Sequence, residues 1–250
     1  MKSYPHRPLI IGHRGHWKTA ENTIRSFHEA VDAGADMIEF DVQLSKDGIP
    51  LVFHDYSLKR MAGRGGSVRS RTSKHLTNIP LSDDTRIPTL KEALSELLPR
   101  VPVNIEMKYN HVHYRPLVKA VGECVRELGA EKRVLVSSFL HYSLQLMNRF
   151  FPAITTAPLY LTRWTGPPYD DELESWAKQN DWDNELPFRR PGLALHHAMI
   201  DEMMVAKLKK LDLVLLSYTV DEPEEMMRLI DLEIQGIITN RPEKLKELLD

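Results

Sequence analysis

The chain has 250 residues, of which 42% are hydrophobic and 27% charged, and its formal net charge is -2 at pH 7. This weak charge disfavours nonspecific nucleic-acid binding, which needs a basic surface. The single cysteine, Cys124, excludes an internal disulfide framework and a cysteine-based zinc site, and we expect it to be a core residue of a helix. No apolar run approaches the ~20 residues of a membrane span, and no signal-peptide core is found near the N-terminus, so we expect a soluble, cytoplasmic protein without a membrane anchor.

The first part of the chain alternates between predicted strands and helices. The spacing of its apolar residues indicates strands over 9–12, 37–44 and 51–53 and a helix over 22–33. Asn22 and Thr23 are predicted to cap this helix, because their side chains can accept hydrogen bonds from its first free N–H groups. The alternative is that they steady a functional site. The turn Lys46-Asp47-Gly48 is predicted to join the last two strands as a hairpin or as one kinked strand.

Residues 56–88 interrupt this alternation. They are rich in Arg, Ser, Thr and Gly and have no clear period. A segment of this length inside a domain is usually functional or mobile, so we predict an insertion at the rim of the fold that can carry short helices. Its glycines do not form a nucleotide-binding fingerprint, since no strand leads into them and no phosphate-binding lysine follows.

The alternation resumes at residue 89. We predict strands over 101–107, 134–139, 155–161, 193–195, 213–220 and 236–239, and helices over 89–98, 114–128, 141–150, 201–211, 224–232 and 242–249. With the strands that start at Leu9 and Met37, this makes about eight strand–helix units in one domain of residues 1–250. Such a number is typical of a TIM (β/α)8 barrel, and an open doubly wound sheet is the alternative.

Residues 162–192 have no regular pattern. They contain three of the four tryptophans, Trp164, Trp176 and Trp182. We expect these side chains, with Tyr160, Tyr169 and Phe188, to pack under their own loop. The alternative is that they cover a groove or contact lipid.

Charged residues stand where the early predicted strands end. In chain order they are His13 and Arg14, Glu39 and Asp41, His54 and Asp55, and Glu106 and Lys108. Residues two apart in a strand point to the same face, and the carboxyl ends of TIM-barrel strands form the rim where active sites are built. An unpaired charge in an apolar strand is costly, so these groups are expected to pair with one another or with a ligand.

Three carboxylates, Glu39, Asp41 and Glu106, are predicted to converge at this rim, where they repel one another. A divalent cation that prefers oxygen ligands, Mg²⁺ or Ca²⁺, relieves such repulsion, and we expect these residues to bind one. The alternative is a structural ion-pair network of the same carboxylates with Arg14 and Lys108.

Two histidines and two cations complete the predicted site. His13 and His54 suit general acid–base catalysis near neutral pH. Arg14 can bind a phosphate as a bidentate fork, and Lys108 can bind it as a point charge. Together with a metal, these groups favour cleavage of a phosphoester over acyl transfer, for which the sequence contains no nucleophile elbow.

Short motifs follow one another over residues 9–242: His13-Arg14-Gly15, Glu21-Asn22-Thr23, Glu39-Phe40-Asp41-Val42, His54-Asp55, Glu106-Met107-Lys108, Ser137-Ser138-Phe139 and Gly236-Ile237-Ile238-Thr239-Asn240-Arg241-Pro242. As an ordered set they resemble the glycerophosphodiester phosphodiesterase family. The resemblance implies a TIM barrel with a variable insertion at 56–88 and hydrolysis of a small-molecule glycerophosphodiester to sn-glycerol 3-phosphate and an alcohol. The implied site residues are metal ligands Glu39, Asp41 and Glu106, catalytic His13 and His54, and phosphate-binding Arg14 and Lys108.

The chain departs from the family pattern at the end of the seventh barrel strand. The family usually has Trp-Thr and a following Asn there, whereas this chain has Tyr218-Thr219-Val220-Asp221. Tyr218 is expected to keep an aromatic wall for the substrate while adding a hydroxyl group. Asp221 is predicted to cap the helix that begins near Pro223.

Two other functions fit the same residues. A lysophospholipase D acting on long-chain substrates would use the aromatic residues of the 162–192 segment to hold an acyl chain. A noncatalytic barrel that binds glycerophosphates would need the cations but not the two histidines, so His13 and His54 argue against it.

Overall fold

The computed structural model describes residues 7–81, 84–108, 114–161, 185–187 and 192–250. The strands formed by these residues are β1 (Leu9–His13), β2 (Met37–Leu44), β3 (Pro50–Val52), β4 (Val103–Met107), β5 (Val134–Ser138), β6 (Thr155–Tyr160), β7 (Gly192–His196), β8 (Val214–Tyr218) and β9 (Gly236–Thr239). Parallel pairing runs in the order β1-β9-β8-β7-β6-β5-β4-β2, and β2 pairs again with β1 to close the ring. This closed eight-stranded barrel confirms the predicted TIM barrel and excludes the open sheet.

β3 lies outside the ring. It pairs antiparallel with β2, with Val52 opposite Val42 and Pro50 opposite Leu44. The connecting turn contains Gly48 with a φ of 79°, a conformation in which glycine carries no side-chain penalty. The predicted hairpin is therefore confirmed.

The α-helices of the described residues surround the ring. They are α1 (Ile24–Asp32), α2 (Lys59–Ala62), α3 (Ser73–Thr77), α4 (Leu90–Leu97), α5 (Tyr114–Glu127), α6 (His141–Phe150), α7 (Glu202–Lys210), α8 (Pro223–Asp231) and α9 (Pro242–Leu249). Thr89 caps α4, because its hydroxyl accepts from the backbone N–H of Glu92 while the Glu92 carboxylate accepts from the backbone N–H of Thr89. None of the described helices is long and apolar enough to cross a membrane.

The core has two layers because strand side chains alternate. Inside the barrel, Leu9 and Ile11 of β1 pack with residues such as Met37 and Leu216. Between the strands and the helices, Ile10 packs with residues such as Phe27 of α1, whose ring lies 5.3 Å from that of Phe40. Side chains thus fill the interior of the barrel below the rim, so we expect a ligand to bind at the carboxyl ends of the strands.

Cys124 lies on α5 in the outer layer, with 8% of its surface exposed. Burial raises the pKa of its thiol to about 11, which keeps it protonated and unreactive at neutral pH. The prediction that Cys124 is a core residue is confirmed.

The 56–88 segment has a small apolar core of its own. Buried side chains from β3, from two of the short helical turns and from the segments between them make this cluster: Leu51, Phe53, Leu58, Val68, Leu76, Ile79, Leu81 and Ile87. Besides α2 and α3, its described residues include a 3-10 turn, Val68–Ser70. The predicted short helices are present, and they pack beside β2 and β3 around this shared apolar cluster.

The predicted aromatic loop over 162–192 falls mostly outside the described residues, and Trp164, Trp176 and Trp182 all do. Tyr160, at the end of β6, is buried with 4% of its surface exposed, and it packs in the outer core layer. Its ring contacts His141 edge to face at 4.7 Å.

Candidate active site

Three carboxylates from two neighbouring strands meet at the carboxyl end of the barrel. Glu39 and Asp41 lie on β2, and Glu106 on β4 is the register partner of Asp41. One oxygen from each of the three lies within 4.8 Å of the others. Glu39 and Asp41 are buried and Glu106 is half-buried. The structure therefore brings the three predicted metal ligands together.

Burial and repulsion disturb the ionisation of this triad. Burial, followed by the charges of Asp41 and Glu106, raises the pKa of Glu39 well above its usual value. Burial and Asp41 also raise the pKa of Glu106. For Asp41, burial acts in the same direction, but Arg14 and Lys108 outweigh it and lower the pKa of that carboxyl. Arg14 and Lys108 thus offset the effect of burial on the pKa of Asp41. The pKa values of Glu39 and Glu106 stay raised although the same two cations lower them.

The two predicted phosphate-binding cations are paired with the triad. Arg14 Nε lies 3.0 Å from Asp41 Oδ2. Lys108 Nζ lies 2.7 Å from Glu106 Oε1 and 3.4 Å from Asp41 Oδ1. Burial lowers the pKa of Lys108, but Glu106 and Asp41 raise it by more, so the ammonium stays charged. The ion-pair network that the sequence left as an alternative does form in this structure.

That network does not satisfy every oxygen. Glu39 Oε1 and Asp41 Oδ1 are buried, and neither accepts a hydrogen bond from the described residues. An unsatisfied buried acceptor costs about 1–3 kcal/mol, more when charged. An oxygen-only donor set with two such oxygens and raised carboxyl pKa values fits a divalent cation of the Mg²⁺ or Ca²⁺ type.

Arg14 reaches the triad from a turn with unusual backbone geometry. Its φ is 54° and that of Gly15 is 95°. The Arg14 N–H donates to the Glu39 carbonyl at 2.8 Å, and its carbonyl accepts from the Asn22 N–H at 2.9 Å. The turn is thereby fixed to β2 on one side and to the start of α1 on the other, which directs the Arg14 side chain over Asp41.

Asn22 supports the site rather than the helix. Its Nδ2 donates to Asp41 Oδ2 at 2.9 Å, and its Oδ1 accepts from the Asp41 backbone N–H at 3.2 Å. The cap of α1 is Thr23 alone, whose hydroxyl accepts from the Ser26 N–H. The prediction of a cap is confirmed for Thr23 and wrong for Asn22, because Asn22 adopts a φ of 59° that turns it towards β2.

His13 ends β1 beside the triad. Its Nε2 lies 3.9 Å from Glu39 Oε2, and its Nδ1 lies 2.8 Å from Asn240 Oδ1. Burial, followed by the charge of Arg14, lowers the pKa of His13 to about 4. The imidazole is therefore neutral at pH 7 and can accept a proton.

His54 reaches the same rim from the segment after β3. Its Nδ1 lies 2.7 Å from Asp55 Oδ1. The Asp55 carboxylate is held by Arg60 of α2, with distances of 2.7 Å from Nε and 3.0 Å from Nη2. Burial raises the pKa of Asp41, and His54 is among the groups that lower it, after Arg14 and Lys108, as expected for a neighbour of the triad.

Arg60 ties the insertion to the barrel. The same guanidinium contacts Glu21, with Nη2 2.5 Å from Oε1 and Nη1 3.1 Å from Oε2. Glu21 Oε1 in turn lies 3.2 Å from Arg14 Nη1. A continuous set of ion pairs thus runs from Arg14 through Glu21 and Arg60 to Asp55, joining the surroundings of both histidines.

Asp221 is not a helix cap, and that prediction is wrong. The residue before α8 is Glu222, which makes no side-chain cap, and Pro223 occupies the first turn. Asp221 Oδ1 instead accepts from the Asn240 backbone N–H at 2.8 Å and from Thr239 Oγ1 at 3.0 Å.

Asn240 contacts His13 and was not among the predicted site residues. Its position in the sequence was a signal, because Asn240 directly follows strand β9, just as His13 stands at the end of strand β1.

Tyr218 lies on the opposite side of the barrel mouth, at the end of β8. Its ring packs edge to face against Phe139 at 5.8 Å. Its hydroxyl donates to the Tyr160 carbonyl at 2.5 Å. Burial, followed by the charge of Glu106, raises the pKa of Tyr218, so the phenol stays protonated. The aromatic wall is present, and its hydroxyl is already bonded to β6.

A cavity of about 380 Å³ adjoins His13 and Arg14. Lys18, Glu21 and Met61 also line it, together with Trp17, whose indole N–H donates to Glu243 at 2.8 Å. The cavity is open to solvent and presents charges of both signs.

Comparison with known proteins places these residues in a family. The model of the glycerophosphoryl diester phosphodiesterase family matches residues 12–244. A glycerophosphodiester phosphodiesterase from Caldanaerobacter subterraneus is 33% identical and covers 97% of this chain and 98% of its own. A lysophospholipase D from Rattus norvegicus is 27% identical and covers 96% of this chain and 85% of its own. The crystal structure of a glycerophosphodiester phosphodiesterase from Thermotoga maritima has 30% identity and a TM-score of 0.76, covering 98% of this chain and all of that one. The chain belongs to the glycerophosphoryl diester phosphodiesterase family.

Proposed function

We propose that this protein is a metal-dependent phosphodiesterase that hydrolyses glycerophosphodiesters to sn-glycerol 3-phosphate and an alcohol. The observation that carries the proposal is the buried triad of Glu39, Asp41 and Glu106 beside a neutral His13, in a chain of this family. We further propose that residues 1–250 form one catalytic domain, with 56–88 as an insertion at its rim.

The carboxylates of Glu39, Asp41 and Glu106 would hold the cation, and we propose Mg²⁺ or Ca²⁺ because all the available ligands are oxygens. When bound, the cation supplies positive charge that stabilises the phosphate in the transition state. It would also supply positive charge to the buried Glu39 carboxylate, whose Oε1 accepts no hydrogen bond from the described residues.

Arg14 and Lys108 are proposed to bind the phosphate of the substrate. Both lie at the edge of the triad, and both retain N–H groups beyond those paired with Asp41 and Glu106. Arg14 can present two parallel donors to two phosphate oxygens, and Lys108 adds a point charge. Tyr218 is proposed to line the substrate on the far side of the mouth.

His13 and His54 are proposed as the acid–base pair. One removes a proton from the attacking oxygen, and the other protonates the alkoxide as the P–O bond breaks. Either a water molecule or the glycerol 2-hydroxyl can attack, and the second route gives a cyclic phosphate that is then opened by water. A cyclic product trapped in a single turnover identifies the second route.

The hypothesis of a lysophospholipase D has support from the rat relative of that name, at 27% identity. Hydrolysis of long-chain lysophospholipids by this protein is therefore a second candidate function. It differs from the first in the glycerol, which carries a long acyl chain, so that the product is an acylated glycerol phosphate. The diester phosphate and the leaving alcohol can be the same in both reactions.

The test is a panel of natural glycerophosphodiesters and lysophosphatidylcholine, with product identification, before and after chelation and after re-addition of Mg²⁺ or Ca²⁺. We expect sn-glycerol 3-phosphate to be released only when metal is present. Tight binding of glycerophosphates without any turnover would favour the noncatalytic barrel instead.

A further inference from the structure

A line of polar side chains connects the end of β8 to His13. Asp221 Oδ2 lies 2.6 Å from Asn240 Nδ2, and Asn240 Oδ1 lies 2.8 Å from His13 Nδ1. Asn240 directly follows β9, which pairs with both β1 and β8. The closure of the barrel therefore places the three residues side by side.

Asp221 leaves Asn240 one favourable orientation. Carboxylate oxygens are acceptors only. Oδ1 of Asp221 already accepts from the Asn240 backbone N–H and from Thr239 Oγ1, and Oδ2 remains for the side chain of Asn240. The amide must turn its NH₂ group to Asp221 and its carbonyl oxygen to His13.

The orientation of Asn240 then selects the tautomer of His13. A carbonyl oxygen cannot donate, so the hydrogen bond at 2.8 Å requires the proton on His13 Nδ1. Nε2, on the side of Glu39, is left with the lone pair. The Nδ1–H bond to Asn240 is kept in both charge states of the ring, so every proton exchange takes place at Nε2.

We propose that Asp221, acting through Asn240, is a positioning residue that holds His13 in the Nδ1–H tautomer with Nε2 directed into the active site. The role in turnover rests on the proposed function of His13, whereas the tautomer itself does not. Its effect on catalysis would follow from the fraction of His13 in the productive tautomer.

Asp221→Asn tests the proposal with almost no change in shape. The NH₂ group of the new amide must face either the side-chain NH₂ of Asn240, or Thr239 Oγ1 and the backbone N–H of Asn240. All of these are donors. The clash is relieved if Asn240 rotates, which turns its own NH₂ to His13 Nδ1 and moves the ring proton to Nε2. We expect kcat to fall by about 10- to 100-fold, the low end of acid–base contributions, with KM changed less than about threefold.

The double variant Asp221→Asn with Asn240→Asp is the rescue. The exchanged pair restores every hydrogen bond, because the new amide donates to the new carboxylate, which accepts from His13 Nδ1–H. Asp231→Asn is the matched control, since it makes the same Asp-to-Asn exchange at an exposed position of α8, away from the line to His13. We expect the rescue to recover most of kcat, and the control to stay within about twofold of the unmodified protein.

The direct readout is the ¹⁵N NMR spectrum of His13 in the full chain near pH 7.5, which distinguishes the two neutral tautomers without any substrate. Nδ1–H in the unmodified protein and in the double variant, with Nε2–H in Asp221→Asn, supports the proposal. Nε2–H in the unmodified protein overturns it, even if the single variant fails to fold. An unchanged tautomer and kcat in folded Asp221→Asn also overturns it. If the protein cleaves no glycerophosphodiester, the proposed function fails while the spectrum still decides the tautomer.

Discussion

His13 and His54 sit at the same rim in different electrostatic settings. Asn240, a neutral amide, contacts His13, whereas the carboxylate of Asp55 contacts His54. We expect His13→Ala and His54→Ala each to lower kcat by ~10²–10⁴, the usual span for acid–base catalysis. Affinity for sn-glycerol 3-phosphate, measured by calorimetry, should change little because Arg14 and Lys108 remain.

His28→Ala is the control for these variants. His28 lies on α1, away from the rim, where it pairs with Glu96 and Arg100. Its removal should leave kcat within about twofold, since it neither touches the site nor fills the core. Unmodified rates in both the His13 and His54 variants would refute their assignment as acid and base.

Glu106 offers the cleanest test of metal binding, because it is the half-buried member of the triad and its loss leaves the buried pair on β2 in place. Glu106→Gln removes one negative charge with almost no change in shape. We expect affinity for Mg²⁺ or Ca²⁺ to fall at least tenfold by calorimetry, with the fold retained by circular dichroism. Glu247→Gln, an exposed residue paired with Lys244, should bind the metal as the unmodified protein does. Full activity of exhaustively demetallated protein would show that the metal hypothesis is wrong.

Residue types and their spacing predicted that the triad, the two cations and His13 would lie together, because strand ends meet at one rim in any parallel barrel. His54 was predicted there too, but it reaches the rim after the antiparallel β3, outside the ring. The roles of Asn22 and Asp221 could not be predicted in the same way. Each lies two residues before a helix begins, and a side chain there can cap the helix or turn back to the strands. The choice depends on backbone angles such as the φ of 59° at Asn22, which the residue type does not encode.

At the level of elements, the turn from β1 to α1 constrains the site most tightly. A Cβ at Gly15 would lie 2.3 Å from Ser26 Oγ and 2.6 Å from the Ser26 carbonyl carbon, and the backbone φ is 95°. We expect Gly15→Ala to destabilise the fold by about 2–5 kcal/mol, from left-handed strain of about 1–2 and steric overlap of about 1–3 kcal/mol. Chemical denaturation measures this free energy.

Gly48→Ala separates the two contributions. Gly48 has a φ of 79°, but an added Cβ there meets no atom within 4 Å. It should cost only the strain of about 1–2 kcal/mol. Equal losses of stability in the two variants would mean that the close approach of α1 to the turn does not matter.

The elements themselves were predictable because apolar periodicity and turn residues agree along most of the chain. The largest error at a helix end is two residues, at α1, which was predicted from residue 22 and begins at 24. The insertion was harder to predict, since its helices are one or two turns long and show no period. They are stabilised by contacts of Leu58, Val68 and Leu76 with β3 rather than by their own propensity.

At the level of the whole molecule, barrel closure unites residues that are far apart in the chain. His13 and Asn240 are 227 positions apart, yet they are hydrogen-bonded because β9 pairs with β1. The ion pairs of Arg60 bring the insertion to the same rim. The groups proposed to bind phosphate are thus fixed by the barrel, while the adjoining cavity is lined by residues of the loop after β1, by Met61 and by Asn240.

This arrangement predicts the substrate range. Arg14, Lys108 and the carboxylates proposed to hold the metal would all act on the phosphate, and the adjoining cavity is open and lined by Lys18 and Glu21, which carry opposite charges. We therefore expect glycerophosphocholine, glycerophosphoethanolamine and glycerophosphoglycerol to have kcat/KM values within about tenfold, or ~1.4 kcal/mol of discrimination. Lysophosphatidylcholine should have a lower kcat/KM, because an acyl chain placed in this cavity would remove its charged side chains from water, which is costly.

The deciding measurement is a kinetic panel of these four substrates with the unmodified protein, Tyr218→Phe and Tyr218→Trp. The Tyr218 hydroxyl is bonded to the Tyr160 carbonyl, so its removal should lower stability by about 0.5–1.5 kcal/mol and leave the ratios among the head groups unchanged. Tyr218→Trp keeps the aromatic wall of the family pattern and should preserve the same order of substrates. A preference for lysophosphatidylcholine above a hundredfold would instead favour the lysophospholipase D activity, with the 162–192 aromatic residues as the candidate acyl-chain site.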